Sequence, residues 1–330
     1  MIQLLCGDCL DVLKTLPDCS VQCVVTSPPY FGLRSYGMGI ENGEMGCEPT
    51  PDEYIAKLVA VFHEFRRVLR DDGTLWVVIG DSYIGGKGQS GSQGPTLQEA
   101  RHDNGASLNR GYQTLGEHGV TKPTDDRKVL RQYGIKPKDM LGIPWMLAFA
   151  LRADGWYLRQ EIIWAKRNCM PESVKDRCTK SHESVFLLSK SPTYYFDNEA
   201  IKEPSKQPED NRGGRGNRKR FPTDKIAGIR GPGVYPMANK RDVWFIATHP
   251  YPEAHFATYP PALVEPCILA GSRPGDTVLD PFNGAGTTGL VAVKNGRNYI
   301  GIELNPEYVE MSRRRIEPHL AQPVLDMALL

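Results

Sequence analysis

The sequence predicts an α/β fold built on a seven-stranded, mostly parallel sheet with insertions. Three observations carry this. Seven apolar, β-rich runs are spread along the chain; stretches with apolar residues at helical spacing lie between them; and one 33-residue unit, 276 to 308, reads strand, glycine turn, helix, strand. A length of 330 residues suits one large α/β domain with insertions or two domains of ordinary size.

The strands, in order, are "QLLCG", "VQCVVTS", "TLWVVIG", "EIIWAK", "SVFLLSK", "DTVLD" and "NYIGIE". A helix is expected over 52–70, ended by Asp72-Gly73, and a second over 140–153. A third follows Gly286, and a fourth runs from Pro306, with its proline in the first turn, to Ile316. Two stretches break the alternation. Residues 85–137 are rich in Gly, Ser, Asn and charge without a clear period and read as a long mobile loop. Residues 200–242 carry eleven Lys or Arg against five Asp or Glu, with "RGGRGNRKR" at their centre. They read as a solvated linker or a nucleic-acid contact.

Composition bounds the function loosely. Hydrophobic residues make up 40% and charged residues 24%, so most of the chain should fold, and a net charge of +1 neither requires nor excludes a nucleic-acid partner. No apolar run reaches membrane-spanning length and the start lacks a signal-peptide pattern, so a soluble, cytoplasmic protein without a membrane partner is expected. "CGDC", followed by Cys19 and Cys23, loosely resembles zinc spacing. Because Cys6 and Cys23 lie in apolar runs and the other cysteines are scattered, the eight are read as reduced thiols, with no metal.

Two motifs carry chemistry. In "DTVLDPFNGAGTTGLVAVKNGRNYIGIELNPEY", Gly284, Gly286 and Gly289 fit a dinucleotide-type glycine turn, with Glu303 about 20 residues beyond its start. Asp280 closes the strand before Pro281-Phe282. A carboxylate there suits a ligand with a cationic amino group, whereas a pyrophosphate would be repelled. The second motif is "TSPPYFGLR". Pro28 and Pro29 end a strand rigidly and leave carbonyls outward, between the Ser27 hydroxyl and the Tyr30 ring.

The first stretch resembles the S-adenosylmethionine (SAM) site of class I, Rossmann-like methyltransferases. That resemblance implies that Asp280, Pro281, Phe282, Gly284, Gly286, Thr287 and Thr288 surround the methionine part. Glu303, with Leu304, would take the ribose hydroxyls, and Asp8, with Cys9, the adenine amino group. "SPPY" matches the [D/N/S]-P-P-[Y/F/W] motif of DNA amino-methyltransferases, which modify adenine N6 or cytosine N4. With the catalytic motif near the N-terminus and the cofactor turn near the C-terminus, the order is circularly permuted and is similar to the β group of that family. "HFATYPPALVEPCILAG" is similar to the segment covering the methionine end, which implicates His255, Phe256 and Thr258, together with Thr26 beside the catalytic turn.

The resemblance implies SAM as cofactor and double-stranded DNA as substrate, with the target base flipped out so that its amino group can reach the methyl donor. The catalytic residues would be Ser27, Pro28, Pro29 and Tyr30. DNA contacts are expected from Arg34, Lys166, Arg167 and Asn168, and from Arg215, Arg218, Lys219 and Arg220 of the basic segment. The expected organisation is a catalytic and SAM-binding domain over 1–199 and 243–330, with 200–242 as a target-recognition insertion. Serine at the first motif position favours cytosine N4, with adenine N6 the alternative. A separate restriction enzyme and a homodimer are the further partners considered. Three rivals fit less well: a protein-glutamine methyltransferase has its PPY turn after the cofactor motif, a nicotinamide dehydrogenase leaves Asp280 and "SPPY" unexplained, and a non-enzymatic DNA-binding module needs only the basic segment.

Overall fold

A computed structural model describes residues 1–32, 44–83, 134–136, 138–169, 171–206, 208–210, 233–249 and 258–320. Its main sheet contains β1 (Ile2–Cys6), β2 (Val21–Thr26), β3 (Leu69–Ile79), β4 (Tyr157–Ala165), β5 (His182–Ser189), β10 (Val243–Phe245), β11 (Thr277–Asp280) and β12 (Asn298–Glu303). Their spatial order is β1-β12-β11-β2-β3-β5-β4-β10, with only β5 antiparallel to its neighbours. The C-terminal strands β11 and β12 thus lie between β1 and β2. Glycine turn and Pro-Pro turn therefore meet at one carboxyl edge, as the permuted order predicts.

Helices cover both faces. On one face α1 (Cys9–Thr15), α2 (Pro51–Val68) and α3 (Ile143–Ala153) bury Leu13, Tyr54, Leu58, Phe62, Phe65 and Leu147 against Val24, Leu75, Val77 and Ile79. On the other α4 (Pro261–Gly271), α5 (Thr287–Lys294) and α6 (Pro306–Ile316) bury Leu263, Ile268, Val291 and Ile316 against Cys23, Val25, Trp76 and Val78. The period-2 alternation along β2 and β3 divides these two cores. Each large side chain so buried contributes about 1.5–3 kcal/mol before conformational entropy is charged against it.

Local chemistry sets the helix ends. Thr50 caps α2 by accepting from the Glu53 N–H, Pro51 opens it, and Arg66 and Arg67 sit where the helix dipole favours cations. Helix α3 has no cap of its own. Asp81, just past β3, accepts from the N–H groups of Gly142 (3.0 Å) and Ile143 (3.1 Å) instead.

The sheet has one strand more than the seven expected. β10 is three residues long and follows Lys240-Arg241-Asp242, so its alternation was too short to register; its Trp244 is buried and donates to the Arg241 carbonyl. The first long helix ends at Val68, before Asp72-Gly73, because Leu69 already pairs with Val21 and Thr74 with Cys23; residues 70–73 form an irregularity within β3. Helix α1 was not anticipated. Cys6 is exposed at a strand end, not a core residue, while Cys23 is buried and its thiol pushed up to about 12 by burial.

The expected loop at 85–137 falls almost wholly outside the described residues. The ends of the basic segment are held together by two short antiparallel pairs, β6 (Glu203–Pro204) with β9 (Met237–Ala238) and β7 (Glu209–Asp210) with β8 (Gly233–Val234). Among the described residues no helix is long and apolar enough to cross a membrane, and no cluster of His, Cys, Asp or Glu could hold a metal ion.

Candidate active site

Asp280, at the end of β11, joins the two motifs. It is 0% exposed, and both carboxylate oxygens are occupied. Oδ1 accepts from the Thr26 hydroxyl (2.7 Å) and the Phe282 N–H (3.1 Å); Oδ2 accepts from the hydroxyls of Tyr259 (2.8 Å) and Thr288 (2.6 Å). Burial raises its pKa, and the four hydrogen bonds oppose that rise. A direct ion pair with a ligand's amino group, the role expected from sequence, has no free oxygen here. Asp280 instead fixes the strand end beside Ser27 to the first turn of α5.

The glycine turn leads into α5 through Gly286, whose φ is +72°. A Cβ there would lie 2.5 Å from the Ser312 Oγ, so the position excludes side chains twice over. Glu303 is half-buried at the end of β12. Its Oε2 accepts from the Gly284 N–H (2.8 Å) and its Oε1 from the Asn305 N–H (3.0 Å), which leaves each oxygen a lone pair for a hydroxyl donor. Burial raises its pKa too. Asp8 caps α1: its Oδ1 accepts from Leu10 and Asp11 N–H, while Oδ2 has no partner among the described residues. Cys9 is buried and its thiol raised to about 12, chiefly by burial.

The remaining cofactor candidates divide. Phe282, Thr258 and Leu304 are half-buried, and Pro281 is buried. Thr288 is spent on Asp280. Thr287 faces the other way and accepts from the Arg315 guanidinium (3.0 Å), so its hydroxyl belongs to the packing of α6. His255 and Phe256 lie outside the described residues.

At the neighbouring strand end the Pro-Pro turn is firmly held. The Tyr54 hydroxyl donates to the Pro29 carbonyl (2.7 Å), whereas the Pro28 carbonyl has no partner among the described residues. Ser27 is half-buried. The Tyr30 phenol donates to Glu183 Oε2 (2.7 Å), and Glu183 in turn pairs with Lys166, whose ammonium lies 4.6 Å from the Trp164 ring centroid. Gly80 makes room for this ring, since a Cβ there would lie 2.7 Å from Tyr30 Cε2. Beyond Glu183 opens a cavity of about 430 Å³, lined among others by Asp81, Lys180, Ser184 and Trp145.

Sequence reasoning missed Glu183, Tyr54 and Tyr259. The acid in "SHESVF" stands at the head of an antiparallel strand, and only that pairing brings it to the carboxyl edge. Of the expected DNA contacts, Lys166 is engaged by Glu183. Asn168 is spent on Thr248, donating to its carbonyl (3.1 Å) and accepting from its N–H (2.7 Å). Arg167 is exposed, while Arg34, Arg215, Arg218, Lys219 and Arg220 lie outside the described residues.

A mostly parallel sheet with a glycine turn, an acid closing the next strand and a Pro-Pro turn brought to the same edge by a permuted order defines a class I SAM-dependent methyltransferase. Solved structures agree on the fold. TTHA0409 from Thermus thermophilus, complexed with S-adenosyl-L-methionine, superposes with a TM-score of 0.56 at 21% identity, covering 98% of both chains. The cytosine-N4-specific PvuII DNA methyltransferase gives 0.60 at 20% identity, covering 95% of this chain and 86% of its own. The chain belongs to the DNA methylase family of N6/N4 type, matched over residues 21–314. Relatives include the Type II methyltransferases M.Cfr9I of Citrobacter freundii, 45% identical over 94% of this chain and 86% of the relative, and M.SmaI of Serratia marcescens, 45% over 95% and 90%. The protein is thus a SAM-dependent DNA amino-methyltransferase of Type II.

Proposed function

We propose that the enzyme methylates the exocyclic N4 of cytosine in duplex DNA. The observation that carries this reading is the head of the catalytic turn: Ser27 stands beside the Pro28 carbonyl, which has no partner among the described residues, while the next carbonyl is taken by Tyr54. An exocyclic amino nitrogen is a weak nucleophile because its lone pair is delocalised into the ring. Two acceptors, the Ser27 hydroxyl and the Pro28 carbonyl, would take its two N–H groups, favour a pyramidal nitrogen and free the lone pair. Tyr30 would stack on the extruded base. Serine at this position is the choice commoner in N4-cytosine members of the family.

The cofactor supplies an activated methyl group when bound. Glu303 would hold its ribose hydroxyls, the turn Phe282–Gly286 its methionine part, and Asp8 its adenine amino group through the oxygen not used in capping α1. Thr26 and Thr288, tied to Asp280, would keep both motifs in register. We assign residues 200–242 to target recognition, with Arg215, Arg218, Lys219 and Arg220 on phosphate and Arg34 and Arg167 nearer the base; 1–199 and 243–330 form the catalytic part. Action beside a separate restriction enzyme, in the cytoplasm, follows from the Type II reading.

Incubation with SAM and mixed-sequence DNA, followed by nucleoside mass spectrometry, tests the base. N4-methyl-2′-deoxycytidine is expected, and N6-methyl-2′-deoxyadenosine as the product would overturn the choice.

A further inference from the structure

The cavity of about 430 Å³ beyond Glu183 falls within the size range of small-ligand sites, and the reading above leaves it unused. Its walls set two cations, Arg177 and Lys180, beside the carboxylates of Asp81 and Glu183 and the rings of Tyr83 and Trp145. Both acids are already engaged. Asp81 accepts from the Ser82, Gly142 and Ile143 N–H groups, and Glu183 from the Tyr30 phenol and the Lys166 ammonium.

The two cations have donors left over. Lys180 is half-buried and has no ion-pair partner among the described residues. Its ammonium gives one hydrogen bond, to the Asp81 carbonyl (3.0 Å), which leaves two N–H groups. Burial pulls its pKa down, outweighing the carboxylates nearby. Arg177, whose guanidinium carbon lies 3.9 Å from the Tyr83 ring centroid, gives Nη1 to Glu172 and to the Cys178 carbonyl, while Nε and Nη2 have no partner among the described residues. Those two nitrogens form a planar fork that matches two oxygens of a phosphate, and an ammonium adds a point charge. With donors in excess and its acids occupied, the cavity selects an anion rich in acceptors.

Its place in the fold selects which anion. Asp81 follows Gly80, which makes room for the Tyr30 ring, and Glu183 both lines the cavity and holds the Tyr30 phenol. The cavity therefore adjoins the Pro-Pro turn across the ends of β3 and β5. In a DNA methyltransferase, the phosphates nearest that turn belong to the strand carrying the target base, and phosphate contacts fix register and orientation.

We propose that Arg177 and Lys180 form a phosphate subsite that grips one phosphodiester beside the extruded nucleotide and so positions the target strand over the Tyr30 ring. This rests on the proposed extrusion of the base against Tyr30. Glu172 and the Tyr83 ring hold Arg177, and the Asp81 carbonyl holds Lys180, so both donors are in place before DNA arrives.

The test measures binding of target duplexes, in which uncharged methylphosphonates replace the phosphates around the target one at a time, to wild type, Arg177→Gln and Lys180→Gln. One such replacement should weaken wild-type binding about tenfold or more and weaken either variant little further, whereas the other replacements should affect all three proteins alike. On the unmodified duplex each variant should lose about tenfold in affinity, with SAM affinity within twofold of wild type. The salt slope of the double variant should be shallower by about 0.9, the value for one phosphate. Lys180→Arg, which keeps the charge, should lose less than Lys180→Gln. Wild-type DNA affinity in both variants would overturn the inference, and so would a loss equal on every duplex, the mark of a merely structural role. Calorimetry with inorganic phosphate separates the sources: binding of the free anion that both variants abolish while DNA affinity stays unchanged would make this a site for a small phosphorylated ligand and overturn the proposal. Should one variant fail to fold, the other completes the comparison. Binding requires no turnover, so absence of methylated product with the wild-type enzyme would count against the functional reading, and the methylphosphonate series would still decide the subsite.

Discussion

Thr26 and Asp280, 254 positions apart in the chain, share a buried hydrogen bond of 2.7 Å. It links the residue before Ser27 to the end of the strand that leads into the glycine turn. The acid that sequence comparison would assign to the cofactor's amino group is thereby an internal brace, satisfied by four protein donors.

Asp280→Ala should therefore damage the fold as well as cofactor binding. Three buried hydroxyls and one N–H would lose their acceptor, with a loss of about 2–5 kcal/mol expected from such a site. Urea unfolding followed in the absence of SAM measures this directly. A variant with unchanged midpoint but abolished SAM binding would restore the direct ion pair.

Ser27→Ala should slow turnover roughly tenfold to a thousandfold with SAM affinity preserved, since one acceptor tightened in the transition state is removed and the Pro-Pro turn kept. Tyr30→Ala should lose more, and a mismatched target should partly rescue it because less stacking and pairing energy opposes extrusion. Rescue of Ser27→Ala should be weaker. Single-turnover rates on matched and mismatched duplexes provide the comparison.

Glu303 offers a pH test. Burial raises its pKa above that of an unfolded carboxyl, so its contribution to stability is present below the unfolded pKa and lost as pH rises through the folded value. Cofactor binding has the opposite sign, because the ionised form is the better acceptor for ribose hydroxyls. SAM affinity should thus weaken on acidification of the wild type, beginning above the ordinary carboxyl range, and a Glu303→Gln variant should bind weakly with a flatter profile. Calorimetry across that range distinguishes this from two parallel curves, which would remove Glu303 from the cofactor site.

Replacing Arg215, Arg218, Lys219 and Arg220 together with alanine should weaken DNA binding strongly while leaving SAM affinity nearly untouched. If all four meet phosphates, the slope of log K against log salt should become shallower by about 3.6, near 0.9 for each phosphate no longer neutralised. An unchanged slope would make the segment a linker.

Much of this architecture is legible in the chain because its signals are local. β2 alternates between two buried faces and stops at Pro-Pro, and the unit from Thr277 to Glu303 carries its glycines and its acid at characteristic spacing. What could not be read depends on pairing between distant strands. Glu183 reaches Tyr30 because β5 runs against β3, and Tyr259 reaches Asp280 across the packing of α4. The full occupancy of Asp280 was equally hidden, since an acid at a strand end has the same one-letter signature whether it faces a ligand or four hydroxyl and amide donors.

The order β1-β12-β11-β2 has a consequence for biosynthesis. A nascent chain leaving the ribosome makes β1 and β2 early, yet the two strands that belong between them emerge last. Until then the inner edge of β2 has no partner and the brace at Asp280 does not exist. A polypeptide truncated before residue 277 keeps an apolar, unpaired strand edge, a hazard for aggregation. Such an unfinished product lacks the glycine turn and Glu303 altogether, so on the proposed reading it has nowhere to seat a methyl donor beside the "SPPY" turn it already carries.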